Sequence, residues 1–238
     1  MTDFAFLNIP LGNEILWLVM LLVNFGGILF AYRVFGRIGL FIWIPLAAII
    51  ANIQVVKTVE LFGLTATLGN IVYATSFLAT DILNENHGKK DARTAVFIGF
   101  FSLIMMTLLM NLALYFKPHE SDFSQGSLVT IFSIMPRIAL GSLVAYGVSQ
   151  MHDVWAYNFW RKLRPEKRHL WIRNNLSTMV SQLIDTLLFT CIAFWGVFTG
   201  RVLFEIGLTT YLLKWLVAVL DTPFMYLAKS FKEKNLVD

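Results

Sequence analysis

Long apolar runs separated by short polar ones dominate this chain. Seven stretches stand out: Ile15 to Tyr32, Ile38 to Val56, Leu61 to Thr80, Thr94 to Phe116, Ser127 to Gln150, Asn175 to Gly200 and Val202 to Ala228. Each approaches the roughly 20 residues that a helix needs to cross a bilayer. A helix also keeps its backbone donors and acceptors paired inside lipid, which an open strand cannot do. The pattern predicts an all-α integral membrane protein with seven transmembrane helices, forming a single polytopic domain over residues 1–238. The first stretch follows an acidic head carrying Asp3 and Glu14. It has no basic segment or small-residue cleavage site before it, so it reads as a retained span rather than a signal peptide.

Composition agrees with this reading. Of the 238 residues, 57% are hydrophobic and only 14% charged, against about 25% charged residues in an ordinary soluble domain. Soluble enzymes, disulfide scaffolds and disordered chains are excluded on that ground. The single cysteine, Cys191, rules out an intramolecular disulfide and any multi-cysteine metal site. The net charge of +4 comes from basic residues in loops, so it reads as topology and not as a nucleic-acid surface.

Sorting Lys and Arg by loop orients the seven-span arrangement. Arg33, Arg37, Lys89, Lys90, Arg93, Arg161, Lys162, Arg164, Lys167, Arg168, Arg173, Lys229, Lys232 and Lys234 fall on one side. Lys57, Lys117 and Arg201 fall on the other. The positive-inside rule then places the N-terminus outside and the C-terminus in the cytoplasm of a cell (inner) membrane. The last span is the weakest, because Glu205, Lys214 and Asp221 interrupt it; a surface-lying amphipathic helix is the competing reading. The longest connection, Met151 to Asn174, carries Trp155, Trp160 and Trp171 among basic residues, as befits the headgroup level. Its turn is marked by Arg164, Pro165, Glu166 and Lys167.

Four ionisable residues remain inside spans: Arg137, Asp185, Lys214 and Asp221. An insertion cost of roughly 2.5 to 3.5 kcal/mol for each makes them candidates for function, with buried structural ion pairs as the alternative. Helical spacing places Gln182 with Asp185, Gln150 with Asp153, and Lys214 with Asp221 on shared faces. Asp81, Asn84 and Glu85 form another face, and Asn52, Gln54 and Lys57 end the second span. Five spans therefore direct hydrogen-bonding groups toward one interior, which suits a cavity for a small polar solute. For Asp81, Glu85, Asp153 and Lys57, near span ends, solvated headgroup-level charge is the competing reading. Gly141, Ala145 and Ser149 recur every four residues, so another helix can approach that stripe closely. Phe77 and Phe189 are aromatic rings able to stack on a flat ligand.

Enzyme signatures are absent from the sequence. His87, His119, His152 and His169 are not arranged as metal ligands on one helical face. The chain contains no nucleophile elbow and no phosphate-binding Gly-rich loop. No cofactor or metal is expected, and a transporter or channel outranks an intramembrane enzyme.

The polar runs themselves carry a resemblance. Phe77-Leu-Ala-Thr-Asp-Ile-Leu-Asn-Glu-Asn-His-Gly-Lys-Lys-Asp-Ala-Arg93, Gln150-Met-His-Asp153, Trp171-Ile-Arg-Asn-Asn-Leu-Ser-Thr-Met-Val-Ser-Gln-Leu-Ile-Asp185, and Lys214 followed by Asp221-Thr-Pro-Phe224 look like the bacterial queuosine precursor transporters. These lie within the vitamin uptake transporter family. The match covers about Asn52 to Tyr226. It implies uptake of 7-cyano-7-deazaguanine and 7-aminomethyl-7-deazaguanine for the queuosine of transfer RNA. Members usually carry an aromatic residue where this chain has His87. Some have six spans, which makes residues 38–228 the six-helix core and 15–32 an added N-terminal helix. The family also resembles the substrate-binding subunits of energy-coupling factor transporters. The sequence leaves open an energy-coupling partner and a homodimer.

A deazaguanine presents a ring N–H and an exocyclic amine that a carboxylate can bind bidentately, and a carbonyl that a cation or amide can donate to. The expected site therefore has Asp185 with Gln182 reading the base and Arg137 and Lys214 balancing charge, with Asn52 and Gln54 beside them. Asp81, Glu85, Gln150, Asp153 and Asp221 form an inner polar gate. Competing functions are import of another flat heterocycle or vitamin, and a non-transport scaffold or enzyme subunit in which the charges only organise helices.

Overall fold

The computed structural model describes residues 12–163, 165–196 and 199–237. Asp3 of the acidic head and Arg164 of the predicted turn lie outside the described residues. Eight α-helices and one β-hairpin are found among them: α1 (Asn13–Gln54), β1 (Thr58–Leu61), β2 (Leu64–Thr67), α2 (Gly69–Asn86), α3 (Lys89–Leu114), α4 (Gln125–Phe132), α5 (Met135–Leu163), α6 (Leu170–Phe194), α7 (Gly200–Leu220) and α8 (Thr222–Glu233). The protein is all-α apart from that hairpin. Five helical stretches are long and apolar enough to cross a membrane: Asn13–Gln54, Lys89–Leu114, Gln125–Leu163, Asn175–Phe194 and Leu203–Glu233. Large side chains such as Phe30, Phe101 and Phe204 are about two-thirds exposed on their outer faces, as lipid-facing rings would be.

α1 is 42 residues long but is not straight. Gly36 adopts φ 57° and ψ −142°, a backbone region closed to residues with a Cβ. A Cβ on Gly27 would meet the Trp43 ring at 2.4 Å, and one on Gly39 would meet the Ala31 carbonyl oxygen at 2.1 Å. In a straight helix, residues 27 and 43 would lie about 24 Å apart. The chain therefore reverses at Gly36, and arms 13–35 and 37–54 pack antiparallel, with Gly27 and Gly39 allowing the close approach. The arms follow the first two predicted spans.

The third predicted span needs correction. Its first residues belong to the β-hairpin, in which Thr58 pairs with Thr67 and Leu61 with Leu64. Phe62 and Gly63, at φ 54° and 72°, make the two-residue turn, the conformation that suits the twist of a tight hairpin. The β-branched residues around that turn favour strand over helix. α2 begins at Gly69 and runs past Thr80 to Asn86. It buries Thr75, Ser76, Thr80, Asp81, Asn84 and Glu85, and none of its residues is exposed. Neighbours on every side explain that burial: α1, α3, α5, α6, α7 and α8 all pack on it. The last predicted span also breaks, ending as α7 at Leu220 and restarting as α8 with Pro223 in its first turn.

α5 and α6 form the most extensive helix pair. A Cβ on Gly141 would lie 3.4 Å from Ala193, Ser149 bonds to Asp185, and His152 lies 2.9 Å from the Ser181 hydroxyl. These three contacts fix one antiparallel register, and the small-residue stripe of α5 is what α6 packs against. At the opposite end from the hairpin, the Tyr32 hydroxyl lies 3.1 Å from His87 Nε2 and accepts from Asn86 at 3.0 Å.

Two consequences can be measured. Gly39→Ala should destabilise the purified protein by about 1–3 kcal/mol, because its new methyl group meets backbone rather than a movable side chain; an unchanged melting temperature would contradict the packed hairpin. For His87, burial first and the nearby Lys232 second hold the imidazole below its ordinary value of 6.5, with Asp91 opposing and Arg37 adding to the lowering. The folded protein thus binds fewer protons here than the unfolded chain. His87's contribution is complete above about pH 6.5 and is lost as pH falls through that value toward the lowered one. Between pH 7 and pH 5, wild type should therefore lose more thermal stability than His87→Gln.

Candidate functional site

Asp185 lies in the middle of α6, and its side chain is 2% exposed. Lys214 of α7, 3% exposed, donates to Asp185 Oδ2 at 2.5 Å. Tyr73 of α2 donates its hydroxyl to Oδ1, as does Ser149 of α5 at 3.1 Å. The Lys214 ammonium also stands 4.7 Å from the centre of the Tyr73 ring. Four helices thus meet on one carboxylate. Its partners satisfy the demand that a buried charge be both paired and hydrogen-bonded.

This carboxylate lines a narrow, partly open cavity of about 30 Å³. Asn52 and Val55 from the end of α1, Asn70 and Tyr73 from the start of α2, and Ser142 and Phe189 from α5 and α6 complete much of its wall. Small residues hold it open. A Cβ on Gly69 would strike the Ala51 carbonyl oxygen at 2.3 Å, so α2 enters the bundle directly against α1. The Asn52 amide donates to the Ala48 carbonyl at 2.8 Å and accepts from Ser142 at 2.7 Å, which locks its orientation. Asn70 lies 3.5 Å from the Thr210 hydroxyl of α7. The wall therefore combines a carboxylate, an ammonium, amides and two aromatic rings, a set able to anchor a flat polar molecule at its edges and cover its faces. A larger groove of about 310 Å³ between α6 and α7, lined by Leu183, Leu187, Leu203 and Phe204 among others, exposes mostly apolar surface. Thr186, Thr190 and Tyr211 also line it, but it carries no charged side chain.

Three of the expected binding residues, Asp185, Lys214 and Asn52, come together in the cavity. The others do not. Gln182 is fully buried but lies outside the cavity lining, with neither amide atom bonded. Gln54 lies at the end of α1, also outside the lining. Arg137 points away and donates to the Trp195 carbonyl at 2.7 Å in an exposed position. Asn70, Tyr73 and Ser142 were not expected; Asn70 and Tyr73, three apart in an apolar helix, were the available signal.

A second group of polar residues lies toward the α8 end. Asp81 of α2, Asp153 of α5 and Asp221 at the α7–α8 junction are all fully buried. Asp81 and Asp153 are close enough to act on each other, as Asp221 is on Asp81, and Asp81 Oδ1 and both oxygens of Asp153 are buried without a bonded donor. Thr178 donates to Asp81 at 3.1 Å, and Ser177, Thr178 and Ser181 of α6 surround Asp153. One turn on, Glu85 pairs with Lys229 of α8, lies 3.8 Å from Arg161, and accepts from the Tyr157 hydroxyl at 3.1 Å. Arg161 also donates to the Asn84 carbonyl at 3.1 Å. Asp81, Glu85, Asp153 and Asp221, expected to form a polar gate, thus gather in one half of the bundle. Gln150 is buried there without a bonded amide atom.

A polytopic helical bundle with a buried, charge-paired cavity has the form of a small-solute membrane transporter. Residues 67–228 match the family described as "Putative vitamin uptake transporter", and the chain belongs to that family. A Bacillus subtilis (strain 168) protein named "Probable queuosine precursor transporter" is 49% identical over 217 residues, covering 91% of this chain and 95% of that protein. An Escherichia coli (strain K12) protein named "Queuosine precursor transporter" is 29% identical over 74% of this chain and 78% of its own length. A Haemophilus influenzae relative bearing the name "Probable queuosine precursor transporter" is 28% identical over 67% of this chain and 66% of its own length. No solved structure matches the chain.

The central pair makes a prediction. Lys214→Met alone leaves Asp185 buried beside hydrogen-bond donors without its counter-charge, and should cost about 3–5 kcal/mol. Adding Asp185→Asn, which keeps an acceptor for Tyr73 and Ser149, should recover most of that loss. Additive destabilisation in a double-mutant cycle would show that the two side chains are not coupled.

Proposed function

We propose that this protein imports queuosine precursors, 7-cyano-7-deazaguanine and 7-aminomethyl-7-deazaguanine, across the cell (inner) membrane, and that it is a transporter and not an enzyme. The names of its relatives support the solute class. The observation that carries the reading is the cavity around Asp185 and Lys214. A deazaguanine edge offers adjacent N–H donors to the carboxylate and a carbonyl acceptor to the ammonium. Tyr73 and Phe189 provide the aromatic walls, and Asn52 and Asn70 the remaining polar contacts.

The proposed arrangement has seven passes. α1 supplies two, α2 one, and α3, α5, α6 and α7 one each, with the N-terminus outside and α8 on the cytoplasmic side. Contacts support grouping the basic ends. Arg37 pairs with Asp91 at 3.1 Å, Arg33 donates to the Leu236 carbonyl at 2.6 Å, and Arg161 and Lys229 both reach Glu85. At the other end, Asn13 donates to the Glu60 carbonyl at 3.0 Å and Glu14 accepts from the Phe62 N–H at 3.2 Å. In this orientation the cavity lies in the outer half of the protein.

The test is uptake of labelled 7-cyano-7-deazaguanine in proteoliposomes and in cells lacking its synthesis, with other flat heterocycles and vitamins as competitors. Asp185→Asn, which loses the charge-assisted contact, should weaken binding by about tenfold or more. Unaltered binding and uptake would remove Asp185 from the site, and preferential displacement by another heterocycle would reassign the substrate.

A further inference from the structure

The polar interior continues past the cavity in layers set by the α5–α6 register. Ser149 meets Asp185 in one layer, and Ser181 lies beside His152 and Asp153 in another. Gln150 and Gln182 occupy the positions between, both fully buried and with both amide atoms unbonded. Gln150 stands one turn from Asp153 on α5, and Gln182 one turn from Thr178, the donor to Asp81, on α6, so each amide shares a helix face with the acid layer. Buried amides without protein partners are positions that a water or a passing polar group satisfies. The solute cavity and the acid pair are thus separate sites joined by a thin polar layer.

The acid pair has a charge problem that the cavity does not. Asp185 has Lys214, but Asp81 and Asp153 face one another. The described charged and titratable groups around them are Asp221, Glu85 with its partners Lys229 and Arg161, His152, Tyr157, and the Asp185–Lys214 pair one layer outward. Two carboxyls facing each other in a dry interior cannot both be ionised. One shared proton makes the facing arrangement stable, since one carboxyl then donates to the other. Removing it drives the two apart unless water enters.

Resting on the import reading above, we infer that Asp81 and Asp153 form a proton-carrying site, distinct from the solute cavity, which couples import of the base to inward movement of a proton. The bookkeeping involves only O–H bonds. One proton from the outer solution is held between the carboxyls while helices α2 and α5 are closed together, and it leaves to the cytoplasm when they separate. α5 and α6 carry the coupling, because the same two helices hold Ser149 and Asp185 at the cavity and Asp153 with its surrounding hydroxyls at the pair.

The experiment uses the full chain in proteoliposomes, with 7-cyano-7-deazaguanine as probe and a pH-sensitive dye trapped inside. An inside-alkaline gradient should raise wild-type uptake several-fold, and the probe should cause internal acidification. Asp81→Asn and Asp153→Asn should keep at least half of the wild-type probe counterflow, which needs no net proton movement, while losing both gradient stimulation and acidification. Infrared spectra of wild type should show a protonated carboxylic acid band that Asp153→Asn removes. Counterflow in wild type without gradient response, or gradient response surviving in both variants, would overturn the proton site and leave the import reading standing. Absence of counterflow in wild type would overturn both.

Discussion

A bilayer interior has no water to satisfy stray polar groups, and this constraint organises the protein around α2. That helix carries Tyr73, Asp81, Asn84 and Glu85 along its length, more polarity than a lipid-exposed helix can bear. The structure surrounds it with other helices so that each polar tier meets a partner. Tyr73 reaches Asp185 on α6, Asp81 reaches Asp153 on α5 and Thr178 on α6, and Glu85 reaches Lys229 on α8. The apolar helices outside are a sheath, with faces that serve lipid on one side and α2 on the other.

The sheath must close tightly for those tiers to meet. Gly27 and Gly39 let the arms of α1 lie against each other, Gly69 brings α2 against α1, and Gly141 brings α6 onto α5. Close backbone approach at these points sets the lateral positions of Asn52, Tyr73 and Asp185 around one cavity. Ion pairs so buried are seldom net contributors to stability, because desolvation offsets most of the Coulomb attraction. A protein that retains Asp185–Lys214 in its centre does so at a stability cost that a pair of apolar residues would avoid.

Much of the fold was legible because lipid imposes a simple rule on outer faces. The two arms of α1, the long apolar faces of α3 and α7, and the in-span residues Asp185 and Lys214 all declare themselves by hydropathy and spacing. The hairpin of Thr58–Thr67 did not, since a short apolar run reads alike as strand or helix until the Phe62–Gly63 turn is seen. Lateral pairing was hidden altogether. Loop counting puts Lys229 beyond the last span and spacing puts Glu85 at the end of another, but nothing local links residues 144 positions apart. The same limit misplaced the charge partner of Asp185: Arg137 and Lys214 looked equivalent in the sequence, and only packing turns Arg137 toward the Trp195 carbonyl while Lys214 faces inward.

Under the proposed function, the way Asp185 is held bears on which solutes the cavity would accept. Its two oxygens already receive Lys214, Tyr73 and Ser149, so an entering molecule competes with bonds that exist in its absence. A solute that offers only acceptors could draw Lys214 aside but would give the carboxylate nothing in return, leaving a charge underpaired in a dry site. A solute that offers only donors would satisfy Asp185 and strand the ammonium. A flat molecule with adjacent donors and a neighbouring acceptor on one edge can insert between the two groups and leave both bonded. Discrimination of this kind is strong because the penalty falls on the protein's own buried charges, and it exceeds what shape alone could supply in a cavity with only Tyr73 and Phe189 as aromatic walls.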